Sequence, residues 1–243
     1  MKPKPTGGKP PPMKPKPTGG KPPSVVLPKG EVAEALRAIF HKSTSALYGD
    51  PKTGKSTLTL ALDAVVIALD PMGYRYLPRK PDYEFYDPEG DIDEVEESIK
   101  EANPKKLLVI DSITALGWRQ ERKTANEYGV KACSEVDYGK ATKARNNAFI
   151  RLLLLACSHP AGCLFIAHTE TTEFKKKSIK RPMWIDASMS KTIEATVASI
   201  VYLDENHVLH TKDMELKNAL CGSNNPAVED YDKLKITKAD LGI

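Results

Sequence analysis

Lys55, Ser56 and Asp111 are the residues whose types and spacing point most directly to chemistry. Lys55 and Ser56 close the stretch Gly49-Asp50-Pro51-Lys52-Thr53-Gly54-Lys55-Ser56, which fits the phosphate-loop pattern G-x-x-x-x-G-K-[ST]. Gly49 and Gly54 let the backbone curl so that successive N–H groups face a phosphate chain. A helix starting at this point adds its partial positive charge. In such a loop the lysine reaches the β- and γ-phosphates and the serine hydroxyl ligates Mg²⁺. ATP and Mg²⁺ are therefore the expected ligands, bound over Gly49, Asp50, Pro51, Lys52, Thr53, Gly54, Lys55, Ser56 and Thr57. Lys106-Leu107-Leu108-Val109-Ile110-Asp111 is an apolar run ending in a carboxylate, the form that brings an acid to Mg²⁺ beside a phosphate loop.

These groups need strands that end together. Ser45-Ala46-Leu47-Tyr48 leads into the loop, and Ser56 to Leu62 follows with a helical pattern. Ala64-Val65-Val66-Ile67-Ala68-Leu69-Asp70 and Cys163-Leu164-Phe165-Ile166-Ala167-His168 are continuous apolar runs, as fully buried parallel strands are. Each delivers a polar group to its carboxyl end, where open α/β sheets hold ligands. Tyr83 to Asp87 is a further short strand, and a helix capped by Asp91 with Glu94 stops before Pro104. Gly30–Lys42, Tyr138–Cys157 and Ser188–Thr196 read as helices. The Tyr138–Cys157 helix has Lys140, Lys143, Arg145 and Arg151 on its expected exposed face. Residues 198–203 and 207–210 read as a hairpin turning at Asp204-Glu205-Asn206. The expected architecture is α/β, with a mostly parallel central sheet flanked by helices and a C-terminal β-hairpin.

Composition restricts the alternatives. The chain has 243 residues, is 40% hydrophobic, and carries a formal charge of +4. Residues 1–23 hold six lysines and no acid, which leaves 30 basic residues against 32 acidic in the remainder. A nucleic-acid surface on the folded body must then be a local patch rather than a global field. Residues 1–12 and 13–24 are a near-perfect tandem duplication with nine prolines. It reads as a disordered, partly polyproline tail, either a solvated linker or a weak DNA tether. The core is expected over 25–212, with 213–243 as a polar tail or short terminal helix. Cys133, Cys157, Cys163 and Cys221 form no CxxC pair and read as reduced thiols of a cytoplasmic protein. No apolar run approaches the about 18 residues needed to span a membrane.

GDPKTGKS, LLVIDSIT and LFIAHTE follow one another in the order of a RecA-type ATPase core. Over about residues 44–204 the chain resembles the RecA-like phosphate-loop ATPases, and within them the small phage-encoded proteins of single-strand annealing and recombination. The resemblance implies ATP hydrolysis, with Asp111-Ser112 as the family's aspartate-serine pair after the strand and His168 as sensor of the γ-phosphate. It implies single-stranded DNA as partner, with a single-strand DNA-binding protein as a further candidate partner, in the cytoplasm of a host cell; a ring, a short filament and a monomer are all open.

The family's DNA-lining loops would fall at 117–136, with Arg119, Arg122 and Lys123, and at 170–186, with Lys175, Lys176, Lys177, Lys180, Arg181, Phe174 and Trp184. Cations with aromatics suit phosphate contact and base stacking, although a lysine-rich loop can also be merely solvated. The family's water-activating glutamate would align with Met72, leaving Asp70 and Glu89 as the carboxylates to orient water. Lys191 is either a surface lysine or a cation reaching a neighbouring copy. A small-molecule kinase and a non-hydrolysing ATP-binding scaffold are the alternatives.

Overall fold

The computed structural model describes residues 31–77, 81–86, 92–174, 177–184, 187–211, 221–223, 228, 234–237 and 240. The duplicated tail, the Asp91 cap and Glu89 lie outside them.

In chain order the elements are α1 (Glu31–Phe40), β1 (Thr44–Tyr48), α2 (Lys55–Leu58), β2 (Ala64–Ala68), β3 (Asp82–Tyr86), α3 (Ile92–Glu101), β4 (Leu107–Asp111), α4 (Ile113–Glu127), α5 (Lys140–Cys157), β5 (Cys163–Ala167), β6 (Thr169–Phe174), β7 (Lys177–Pro182), α6 (Ala187–Thr196), β8 (Ser199–Leu203), β9 (Val208–His210), β10 (Gly222–Ser223) and β11 (Leu234–Lys235). The main sheet runs β11-β9-β8-β1-β5-β4-β2-β3, with β10 on β8. The six strands from β8 to β3 are parallel to their neighbours. In this sheet, among the described residues, antiparallel pairing is confined to the β8 side, where β9 and β10 pair with β8 and β11 with β9. The expected mostly parallel α/β sheet with a hairpin after it is the fold of this protein.

The sheet is buried on both faces, which is why its strands read as unbroken apolar runs. Side chains alternate across each strand. In β4, Leu108 and Ile110 join Val95, Phe149, Leu152 and Ile193 on one face. Leu107 and Val109 join Leu36, Ile39, Phe40 and Leu58 on the other. Val228 and Ile236 are buried in that second cluster, and β10 and β11 lengthen the sheet, so these stretches of 213–243 belong to the folded body. Among the described residues no helix is long and apolar enough to cross a membrane.

Two expected loops are regular structure. Most of 117–136 belongs to α4, which starts where Ser112 Oγ accepts from Ala115 N–H at 3.1 Å, an N-cap that satisfies an otherwise orphan donor. The 170–186 segment contains a separate two-stranded ribbon, in which β6 pairs antiparallel with β7. Arg145 also departs from its expected exposed place. It is buried, and Nη1 donates to Glu121 Oε2 at 2.5 Å, because a guanidinium can enter a core when a carboxylate accompanies it.

Candidate functional site

The site lies at the carboxyl ends of the parallel strands. β5 separates β1, which leads into the phosphate loop, from β4, which ends in Asp111. The loop passes through left-handed backbone at Lys52 (φ 68°) and Gly54 (φ 93°). Gly49 faces the end of β8 so closely that a Cβ there would lie 2.4 Å from the Leu203 carbonyl oxygen. The Leu203 backbone is on one side and Thr53 Oγ1, 2.9 Å from such a Cβ, is on the other, so the contact has no easy relief. Gly49→Ala is therefore expected to destabilise the fold by about 2 kcal/mol and to displace the loop. Chemical denaturation together with nucleotide titration checks both effects.

Lys55 Nζ donates to the carbonyls of Gly49 (2.7 Å) and Asp50 (3.0 Å), folding its ammonium over the loop. Burial lowers the Lys55 pKa, and the carboxylates of Asp111 and Asp50 oppose that shift. Ser56 Oγ donates to Asp111 Oδ2 at 2.7 Å. The same carboxylate oxygen accepts from Tyr74 Oη, also at 2.7 Å. Burial drives the Asp111 pKa upward; the Ser56 and Tyr74 hydrogen bonds work against it, and the charge of Asp70 adds to it. Burial, reinforced by Asp111, holds Tyr74 well above the ordinary tyrosine range, so it remains a donor. Gly73 makes this packing possible, since a Cβ there would lie 2.6 Å from Ser56 Oγ. The peptide bond between Asp111 and Ser112 is cis.

Asp70 follows the end of β2, and its N–H donates to the Asp111 carbonyl at 3.1 Å. His168 follows β5. Its N–H donates to Thr114 Oγ1 at 3.3 Å, and its carbonyl accepts from Met183 N–H at 2.7 Å. Its ring stacks on Trp118, with centroids 6.5 Å apart and planes 28° apart. Trp118 is 58% exposed. His207, in the β8–β9 turn, braces the loop: Thr53 O can only accept, so His207 Nδ1 is the donor at 2.9 Å.

Asp50, Lys55, Ser56, Asp70, Asp111 and His168 thus share one sheet edge, while Pro51 and Lys52 are exposed on the outer turn of the loop. The basic residues are distributed differently from the expected loops. Arg119, Arg122 and Lys123 lie on α4, where Arg122 is exposed and Lys123 Nζ is paired with Asp93 at 2.6 Å. On β7, Lys180 Nζ meets Asp50 Oδ2 at 2.5 Å and Arg181 Nε meets Glu170 Oε1 at 2.6 Å. Lys177 begins β7, while Lys175 and Lys176 lie outside the described residues. Trp184 is buried, with Nε1 donating to Glu194 at 3.4 Å, so it offers no face to a base. Lys191 is exposed on α6. Tyr74, Thr114 and the Lys180–Asp50 pair were not expected from sequence. Thr114, in LLVIDSIT, had the clearest signal, being three residues beyond the acid.

The Ser56 hydroxyl and Asp111 carboxylate are hard oxygen donors and fit Mg²⁺. Among the described residues no group of three or more His, Cys, Asp or Glu could hold a metal by itself. A cation with only these two protein ligands would take its remaining ligands from water and phosphate, as Mg²⁺ does.

A parallel α/β sheet with a glycine-rich loop at its carboxyl edge, a lysine over that loop and a serine hydrogen-bonded to a buried aspartate defines an α/β phosphate-loop protein. No family model and no curated protein matches the chain. Among solved structures, it is similar to a prototypical ATPase from the type III secretion system of pathogenic bacteria, with 14% identity, TM-score 0.47, and coverage of 95% of this chain and 74% of that one. It is also similar to the flagellar accessory protein FlaH from Methanocaldococcus jannaschii, with 14% identity, TM-score 0.42, and coverage of 86% and 91% respectively.

Proposed function

We propose that this chain is a RecA-like ATPase that binds and hydrolyses ATP and uses the nucleotide to control its grip on single-stranded DNA, as in annealing or recombination. The observation that supports it best is the shared edge: the phosphate loop, the Ser56–Asp111 pair and His168 converge there, and the basic ribbon β6–β7 starts one residue after His168.

Lys55 exchanges the Gly49 and Asp50 carbonyls for phosphate oxygens, and loop N–H groups hold the phosphate chain. Ser56 Oγ and the Asp111 carboxylate would hold Mg²⁺, which neutralises charge developing between the β- and γ-phosphates. Asp70 is the described carboxylate at the neighbouring strand end and orients the attacking water. His168 senses the γ-phosphate, and its backbone bonds to Thr114 and Met183 carry a shift into both α4 and the end of β7. The exposed Trp118 indole, stacked on that histidine, is a surface for a DNA base.

Fluorescence anisotropy with labelled single-stranded DNA tests this reading. ATP with Mg²⁺ should raise affinity at least about tenfold, within the usual range of allosteric coupling. Trp118→Ala should lower it about tenfold by removing a stacking face. Equal affinity with and without nucleotide overturns the coupling. Phosphate release that requires a small acceptor instead of DNA favours a kinase, and none under any condition favours a non-hydrolysing scaffold.

A further inference from the structure

Asp50 is the one carboxylate within Gly49–Ser56, and a carboxylate beside a triphosphate opposes its binding. Lys180 meets that charge from the ribbon. Its Nζ lies 2.5 Å from Asp50 Oδ2. The same ammonium lies 3.4 Å from Tyr202 Oη and 5.9 Å from the centre of that ring. Its carbonyl accepts from Tyr48 Oη at 3.2 Å. Tyr48 immediately precedes Gly49, and Tyr202 immediately precedes Leu203, whose carbonyl oxygen occupies the space a Cβ at Gly49 would need. The rings of Tyr48 and Tyr202 lie 5.0 Å apart. Lys180 is thus held, side chain and backbone, by residues bordering the phosphate loop.

Stability does not account for this arrangement. The two side chains are 40% and 35% exposed, and ion pairs with such access to water add little to folding. Lys55 already donates to the Asp50 carbonyl, so two ammonium groups meet on one residue: Lys55 on the backbone and Lys180 on the side chain.

We propose that Lys180 is a positioning residue of the nucleotide site: seated on Asp50, it cancels the loop's only negative charge, so triphosphate affinity depends on the seating of the β6–β7 ribbon. By linkage the dependence is reciprocal, and bound nucleotide holds the ribbon in place. This rests on nucleotide binding at the loop and not on DNA as the partner.

Three variants test it, Lys180→Met, Asp50→Asn and the double substitution, by titrating a fluorescent ATP analogue with Mg²⁺. Lys180→Met should weaken binding about tenfold, in the range typical of coupling between sites. Removing the stranded carboxylate should restore it, so the double variant binds within about twofold of Asp50→Asn. A ribbon that mattered only for packing would not be rescued in this way. Hydrogen exchange gives a second readout: nucleotide should slow the amides of 169–174 and 177–182 in the wild-type chain and not in Lys180→Met. Wild-type affinity in Lys180→Met, failure of Asp50→Asn to rescue it, or equal protection of the ribbon in both chains overturns the inference alone. A wild-type chain that binds no nucleotide removes the proposed function and this inference together.

Discussion

Lys55→Ala should reduce ATP affinity about 10²- to 10³-fold. In the proposed function Lys55 would supply charge-assisted hydrogen bonds to the phosphates, each contributing about 1.5–3 kcal/mol, and about 1.4 kcal/mol is a factor of ten. The folded chain should tolerate the change. Burial already lowers the Lys55 pKa, so the charged ammonium is disfavoured relative to its unfolded state, and removing it relieves that cost. The hydrogen bonds lost are to the carbonyls of buried Gly49 and half-buried Asp50, a smaller loss than the cost relieved. Calorimetry of nucleotide binding alongside thermal unfolding separates the effects. Lost binding with a melting temperature within a few degrees of wild type is the expected result; wild-type affinity would remove Lys55 from the phosphate site.

Asp111→Asn should do two opposite things. Turnover should fall about a hundredfold or more, since the carboxylate proposed to hold the cation would be lost. Stability at neutral pH should rise by about 1 kcal/mol, as it often does when a functional group kept at a cost to folding is replaced. Burial raises the pKa of Asp111 in the folded state. Keeping it ionised near pH 7 therefore costs folding energy, a cost that is absent below its unfolded value and grows as pH rises through the folded one. An asparagine can still accept from Ser56 and Tyr74, so the hydrogen bonds of the site survive. The stability gain should vanish below about pH 4, where the aspartate is protonated in both states. Denaturant melts at pH 7 and pH 3.5 check the sign, and phosphate release checks the turnover.

The elements that position the site were legible because their physics is local. The strands are buried on both faces, so β1, β2, β4 and β5 appear as apolar runs, and Ser56 and Asp111 are found together where the runs end. α4 was hidden because its inward face is partly polar: Gln120 and Thr124 are buried beside Ile113 and Leu116. Its Ser112 cap and its three- and four-residue spacing were the available signals. β6 and β7 form a ribbon outside the main sheet, and no apolar alternation announces them; their register sets Glu170 opposite Arg181. Tyr74 and Lys180 follow no motif. Their roles depend on partners 37 and 130 residues away in sequence, a proximity that only the assembled sheet creates.

The placement of the two tryptophans has a practical consequence. Trp118 is exposed and stacked on His168, while Trp184 is buried two residues beyond the end of β7. The chain holds no other indole. Its intrinsic emission is therefore a mixture of one solvent-quenchable fluorophore at the edge of the site and one shielded fluorophore at the foot of the ribbon. Collisional quenchers should separate the two without any attached label, so events at His168 and loosening of the ribbon can be followed optically in the same unmodified sample.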